Sequence, residues 1–179
     1  MKRSLVVLSL AILMAFILGC QDRQTFEELE EMKAQAEVEE QNKAMVQRIL
    51  SEGDKRGARI LDEVCASDYK MYFPSNADPI GLEEHKQVWQ AFTDAFPDLE
   101  HTIHQSIAEG DVVSTRETLR GTHEGEFEGI PPTGNTVVFG GVCLWRFADG
   151  KLVEYRVDAD LLGLFQQLGM ELSPAVVEE

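Results

Sequence analysis

Residues 136–160, TVVFGGVCLWRFADGKLVEYRVDAD, decide the fold. The first part, Thr136 to Phe147, is almost continuously apolar, which is typical of a central strand covered on both faces. Asp149-Gly150 supplies the positive φ angles that a tight hairpin needs, so the chain returns along Leu152 to Asp160. The stretch therefore predicts a long antiparallel hairpin in the middle of a sheet.

Upstream of this hairpin the pattern predicts a second hairpin and, before it, helices. Leu99 to Ala108 and Val112 to Thr122 interleave β-branched and charged residues on either side of a glycine turn. Apolar residues recur at helical spacing in residues 82–96, and again in residues 42–64, where the pattern predicts two helices joined between Gly53 and Gly57. Helices followed by an antiparallel sheet predict an α+β fold, a curved sheet wrapped on one side by N-terminal helices.

The N-terminus has the organisation of an export signal. Lys2 and Arg3 precede an apolar run, Leu5 to Leu18, which is shorter than the roughly 20 residues that a membrane-spanning helix needs. Residues 17–20, Ile-Leu-Gly-Cys, resemble a lipobox. That resemblance implies cleavage of residues 1–19 and acylation of Cys20, giving a lipid-anchored protein of the cell envelope. The residue after the cysteine, Gln21, favours the outer membrane or the periplasmic face, and an ordinary secretory signal with a chance cysteine is the alternative.

The remaining chain divides into three parts with different composition. Residues 20–41 are an acidic tether, either a solvated helix or a disordered segment, residues 42–172 form one domain, and residues 173–179 are a C-terminal tail. The formal net charge of −16 argues against nucleic acid as a partner. Cys65 and Cys143 are predicted to be unpaired buried thiols, and no Cys/His spacing suggests a metal site.

The register of the second hairpin decides whether its charged residues face a cavity. If Phe147 lies opposite Leu152, then one face of the sheet carries a charged row, Arg156, Asp158 and Asp160, beside an apolar wall, Phe139, Cys143 and Trp145. A bulged turn would shift the pairing by one residue and turn the charged row to solvent. Both interpretations stay open at the level of sequence.

In the first interpretation Asp160 is the candidate acid/base. Arg156 pairs with Asp158 and leaves Asp160 deeper and unpaired, where desolvation raises the pKa of its carboxyl toward neutrality. His123, at the end of a predicted strand, is the second titratable candidate. A purely structural role for this histidine is the competing interpretation.

Four ordered motifs resemble the SnoaL-like polyketide cyclase or ester cyclase family over roughly residues 42–169. The longest is residues 121–134, GTHEGEFEGIPPTG. The other three are Ala95 to Leu99, the hairpin residues Arg146 to Glu154, and the ending from Asp160 to Gly169. Four motifs in order are far more specific than any single one.

The resemblance implies a nuclear transport factor 2-like α+β cone that works without a cofactor. It implies that Asp160 abstracts a proton next to a carbonyl, giving an enolate that closes a ring by intramolecular aldol condensation. This chain departs from the family pattern at Tyr155-Arg156 and at Asp158, where an apolar residue is usual.

Three functions are therefore open. The first is a cyclase-type enzyme acting on a small apolar carbonyl compound, with Asp160 as acid/base and His123 or Arg146 as supporting polar groups. Its candidate substrate-binding residues are Arg146, Arg156, Asp158, Trp145 and Phe139. The second is a non-catalytic envelope lipoprotein that binds a small molecule, with Arg156 contacting a carboxylate or phosphate on it. The third is a scaffold that pairs through its open sheet face as a homodimer. Fold analogy by itself does not choose among them.

Overall fold

The structure, a computed structural model, describes residues 2–73 and 78–171, with side chains from Thr25 onward. The chain divides into two units, residues 1–38 and residues 39–179. In the first unit the chain is helical from Lys2, and the described side chains from Thr25 to Val38 are exposed to solvent. This part of the predicted tether is therefore a solvated helix rather than a disordered segment. The side chains of the predicted signal peptide and of Cys20 lie outside the described residues.

The elements follow one another in the order two helices, one strand, one helix, four strands and a final short helix. The helices are α1 (Lys2–Arg56), α2 (Ile60–Val64), α3 (Leu82–Ala95) and α4 (Leu161–Gln167), and a 3₁₀ turn (Gly57–Arg59) joins α1 to α2. The strands are β1 (Cys65–Tyr72), β2 (Glu100–Glu109), β3 (Val112–Thr122), β4 (Thr136–Ala148) and β5 (Lys151–Ala159). No helix with described side chains is long and apolar enough to cross a membrane.

The five strands form one curved sheet in the order β1-β5-β4-β3-β2. Strands β2 to β5 run antiparallel, whereas β1 pairs with β5 in parallel. Strand β1 was not predicted from the sequence. It begins directly after α2, and no turn residue marks the change from helix to strand. The prediction of α+β architecture is confirmed, with a mixed rather than wholly antiparallel sheet.

The buried core lies between the helices and the inner face of the sheet. One cluster is built around Ile49, Leu61 and Trp145, and a second around Phe96 and Phe127. Strand β4 is central, as predicted, but it is covered on one face. Its outer side chains are exposed in the single chain, including Val138, Val142 and Leu144. Pairing of two chains through this outer face stays a prediction.

A bulge near the last turn sets the register of the hairpin that decides the fold. Phe147 does lie opposite Leu152, but Arg146 lies opposite Glu154, so Val153 is an extra residue on β5. The shift pairs Cys143 with Val157 and Val142 with Asp158. Because side chains alternate along a strand, the one-residue shift turns the charged row to the outer face. The interpretation that placed Arg156, Asp158 and Asp160 beside the apolar wall was therefore wrong, and the alternative, a pairing shifted by one residue, is correct.

Candidate functional site

A mostly apolar cavity of about 230 Å³ lies between α1, α3 and the inner face of the sheet. Aromatic side chains form much of its wall, namely Phe73, Trp89, Phe92, Phe139, Trp145 and Tyr155. Four polar side chains also reach the wall, namely His85, His101, Glu117 and Cys143. A concave apolar pocket with a few convergent polar groups is the usual form of a small-molecule site.

His101 is held at the cavity wall by a carboxylate of α1. Its ring Nδ1 lies 2.6 Å from Asp54 Oδ1, and its backbone N–H donates to Asp54 Oδ2 at 3.1 Å. The two side chains keep only 11% and 19% of their surface exposed. An ionised carboxylate only accepts hydrogen bonds, so Nδ1 carries the hydrogen shared with Asp54, and in the neutral form of the ring the lone pair is on Nε2. This arrangement suits a general base.

Asp54 reaches His101 because α1 comes close to α3 at the preceding residue, Gly53. A Cβ built on Gly53 would lie 2.3 Å from Cζ2 of Trp89, so only glycine leaves room for this indole against α1. The Trp89 ring in turn lies 6.2 Å from the ring of His101, centroid to centroid. Gly53 and Trp89 therefore fix the position of the Asp54–His101 pair.

A chain of hydrogen bonds runs through the buried side of the cavity. The Cys143 thiol donates to Glu117 Oε1 at 2.6 Å, and Cys143 Sγ lies 3.2 Å from the Tyr155 hydroxyl. Since the thiol hydrogen is engaged by Glu117, the Tyr155 hydroxyl is the donor to sulfur. Burial, together with the nearby carboxyl of Glu117, raises the pKa of Cys143 well above its usual range. Burial raises the pKa of Tyr155 in the same way, so both groups stay neutral.

His85 lies in a stack of rings at the other end of this wall. Its ring is stacked with Tyr69 and Tyr155, at centroid distances of 5.7 and 5.6 Å, and Nδ1 pairs with the Tyr69 hydroxyl at 2.8 Å. Burial lowers the pKa of His85 to about 4, because the apolar surroundings disfavour the imidazolium. At neutral pH this histidine is an uncharged polar group.

The structure does not place Asp160 where the sequence analysis expected it. The residue is exposed, at the N-terminus of α4, and its Oδ1 accepts from the Gly163 N–H at 2.8 Å. Its two neighbours, Ala159 and Leu161, line the cavity, so Asp160 lies at the rim. The predicted burial of its carboxyl was wrong because of the β5 bulge. Its role in proton transfer stays a prediction.

His123 is fully buried but lies away from the cavity. Its Nδ1 accepts from the Thr133 N–H at 3.2 Å, and its ring packs against Phe96 at 5.2 Å. Its backbone also exchanges hydrogen bonds with Gly134 and Asn135. These contacts close the base of the loop from residue 123 to 135. The structure therefore favours the structural interpretation of His123 over the catalytic one.

The remaining predicted site residues divide between the two faces of the sheet. Phe139 and Trp145 line the cavity. Arg146 lies outside, 3.2 Å from Asp111, and Arg156 pairs with Glu154 at 2.7 Å. Asp158 is exposed on the same outer face. The expected cavity positions of Arg156 and Asp158 were wrong because of the register shift, whereas Arg146 faces outward because it lies between the inward-facing Trp145 and Phe147 on β4.

The polar residues that do reach the cavity, including His101 and Glu117, were not among the predicted site residues. His101 and Glu117 occupy alternate positions on edge and inner strands, where polar residues are normally solvated, and no local pattern marks them as inward. Asp54 is distant in sequence and meets His101 only in the fold. Among the residues that the structure describes, no cluster of three or more His, Cys, Asp or Glu could hold a metal ion.

The comparisons agree with this architecture. The sequence model of the SnoaL-like polyketide cyclase family matches residues 43–168. The chain belongs to this family. No curated protein sequence matches it significantly.

Several solved structures share the fold. AclR from Streptomyces galilaeus, a proposed hydroxylase, is 28% identical with a TM-score of 0.70, covering 77% of this chain and 87% of its own. A proposed SnoaL-like polyketide cyclase from Jannaschia sp. CCS1 is 29% identical with a TM-score of 0.69, covering 75% and 96%. IdmH from Streptomyces antibioticus, a proposed polyketide cyclase, is 29% identical with a TM-score of 0.64, covering 72% and 99%. The family and the fold support a small molecule as the ligand.

Proposed function

We propose that this SnoaL-like protein catalyses acid/base proton transfer on a small apolar carbonyl compound. The observation that carries the proposal is the Asp54–His101 pair at the wall of an apolar cavity. A base held in one tautomer, at the wall of a mostly apolar cavity, is suited to removing a proton from carbon next to a carbonyl. Ring closure through the resulting enolate is the cyclase form of this chemistry.

The cavity limits the size of the compound. At the packing density of protein interiors, about 0.75, a cavity of about 230 Å³ is filled by a molecule with a van der Waals volume of roughly 170 Å³. Compounds with one or two fused rings fall in this range. The polar ends of such a compound would meet His101, His85 or Glu117, and its apolar body would contact the aromatic wall.

The family resemblance implies a different base, Asp160. The two assignments differ in location, since His101 lines the cavity and Asp160 caps α4 at its rim. The geometry favours His101 because its carboxylate partner fixes the tautomer and its ring is largely desolvated. Asp160 accepts a backbone hydrogen bond with one of its carboxyl oxygens, which uses part of its capacity as a base.

Deuterium exchange into a small ketone tests the proposal without knowledge of the natural substrate. In D₂O, proton abstraction from 1-indanone replaces its α-hydrogens by deuterium, and ¹H NMR follows the loss of their signal. We expect the protein to accelerate this exchange and His101→Gln to lose about 100-fold or more of the acceleration, the typical contribution of a general base. Asp54→Asn should lose part of it, with the affinity for 1-indanone unchanged.

Asp160→Asn is the matched comparison, because asparagine also caps helices well. Exchange that is retained in Asp160→Asn and lost in His101→Gln supports His101 as the base. The reverse result supports Asp160. If the protein binds the ketone and accelerates nothing, the alternative function applies, a non-catalytic small-molecule-binding protein of the cell envelope.

The proposal also includes a location in the cell envelope. The apolar run from Leu5 to Leu18 and the Gly19-Cys20 pair support a lipid anchor at Cys20 on the outer membrane or the periplasmic face. In that location the cavity would take apolar compounds that enter the envelope or are released into it.

A further inference from the structure

Glu117 is a buried carboxyl that the folded chain leaves half satisfied. Its side chain lines the cavity and the residue is 2% exposed. Oε1 accepts from the Cys143 thiol, whereas Oε2 is buried and has no hydrogen-bond partner among the described residues. A buried polar atom without a hydrogen-bond partner is rare in folded proteins, and one explanation is that a ligand supplies the missing hydrogen bond.

The protein supplies no positive charge opposite this carboxyl. No lysine or arginine is among the described residues that line the cavity. In the part of the chain that the structure describes, no lysine, arginine or histidine forms an ion pair with Glu117. His85 is neutral at pH 7, because burial lowers its pKa to about 4, and His101 is already paired with Asp54. The chain as a whole carries a formal charge of −16, which attracts cations.

The rest of the wall is suited to an organic cation. Trp89, Phe139, Trp145 and Tyr155 present aromatic rings to the same cavity, and the rings of Trp145 and Tyr155 lie 4.2 Å apart. The electron-rich faces of such rings attract ammonium groups. A buried carboxyl in a cavity lined by aromatic rings therefore matches a protonated amine on an apolar body.

We propose that the cavity binds a small apolar amine in its protonated form, with the ammonium group donating a hydrogen bond to Glu117 Oε2. This inference adds a ligand group to the proposed small-molecule site and rests on binding in that cavity, not on catalysis there. A neutral hydroxyl could also donate to Oε2, so the test compares an amine directly with the matching alcohol.

Two ligands that differ in one group test whether the cavity prefers an ammonium or a hydroxyl. 2-Aminoindane and 2-indanol have the same ring skeleton and differ in carrying an ammonium or a hydroxyl group. Isothermal titration calorimetry on the purified full-length protein at pH 7 gives both dissociation constants. We expect the amine to bind about 10- to 100-fold more tightly than the alcohol, as expected for hydrogen bonds to charged groups.

Substitutions at Glu117 test whether this preference comes from the carboxyl. Glu117→Gln keeps the shape of the side chain and removes the charge, and Glu117→Leu is a second variant that also removes the unpartnered oxygen. In both, the preference for the amine should fall to about 3-fold or less. Glu100→Gln, at the exposed start of β2, is the control and should keep the wild-type preference.

Salt distinguishes a buried contact from the general negative charge of the protein. The preference of the wild type should persist at about 0.5 M NaCl, because a desolvated pair is screened far less than surface charges. The proposal is overturned if the alcohol binds as tightly as the amine, if the preference survives in both Glu117 variants, if salt abolishes it, or if neither compound binds. Deuterium exchange into 1-indanone involves no amine, so retained exchange without an amine preference would overturn this inference alone.

Discussion

Acidification should destabilise this protein through one buried histidine, His85. Its side chain lies between Tyr69 and Tyr155 in the wall of the cavity, and burial lowers its pKa from 6.5 to about 4. The unfolded chain binds a proton at this position below pH 6.5, whereas the folded chain resists protonation until about pH 4. The stability that this group contributes is therefore complete above pH 6.5 and is lost as the pH falls toward 4.

The size of the loss follows from the shift of the pKa. Each pH unit between the two pKa values costs about 1.36 kcal/mol of unfolding free energy. Because the sequence pI is about 4.6, measurements are best kept above pH 5, where the protein retains net charge. Between pH 6.5 and 5 the expected loss is then about 2 kcal/mol.

Urea denaturation of the wild type and of His85→Gln at pH 7.5 and at pH 5 measures this loss. Carboxylates elsewhere contribute their own pH dependence, which cancels in the difference between the two proteins. We expect the stability advantage of the wild type to shrink by about 2 kcal/mol on acidification. Tyr69→Phe is the control, because it removes the 2.8 Å hydrogen bond but keeps the titrating ring, so it should retain the wild-type pH dependence.

A difference between wild type and His85→Gln that does not change with pH would refute this reasoning. It would mean that the imidazole takes up a proton in the folded state with little penalty, through water entering the cavity. In that case the wall around His85 is wetter than its 4% exposure implies, and the cavity would suit a polar ligand rather than an apolar one.

Three other substitutions test separate features. Gly53→Ala should destabilise the protein by about 1–3 kcal/mol and change its tryptophan fluorescence, since the new Cβ collides with Trp89 and the overlap outweighs the roughly 1 kcal/mol of helix propensity gained. Asp160→Ala should cost about 1 kcal/mol in urea denaturation through loss of the cap on Gly163, and Asp160→Asn much less. Cys20→Ala should abolish incorporation of labelled palmitate and release the protein from membranes, and retained labelling would reject the lipid anchor.

The order and type of most elements could be predicted from local pattern. The hairpins around Gly110 and Gly150 were predictable because each turn contains glycine with a positive φ between two alternating strands. Strand β1 was not predictable, because it directly follows α2 and its pairing partner is β5, far along the chain. Its parallel pairing depends on tertiary contacts that leave no local signal.

The site was much less predictable than the fold. Phe139 and Trp145 reach the cavity because alternation along β4 is regular. Asp160, Arg156 and Asp158 were misplaced by one extra residue, Val153, since a single bulge reverses the face of every residue beyond it.

By itself the sequence determined the family, the α+β class and the acidic charge, because these depend on composition, local motifs and periodicity. The export signal at the N-terminus stays a prediction. Only the tertiary structure decided which polar groups share the cavity. Asp54, His101 and Glu117 come from a helix and two strands, and the contacts among such elements depend on register and packing. A cavity is a property of how elements pack together, so its chemistry becomes visible only once the chain is folded.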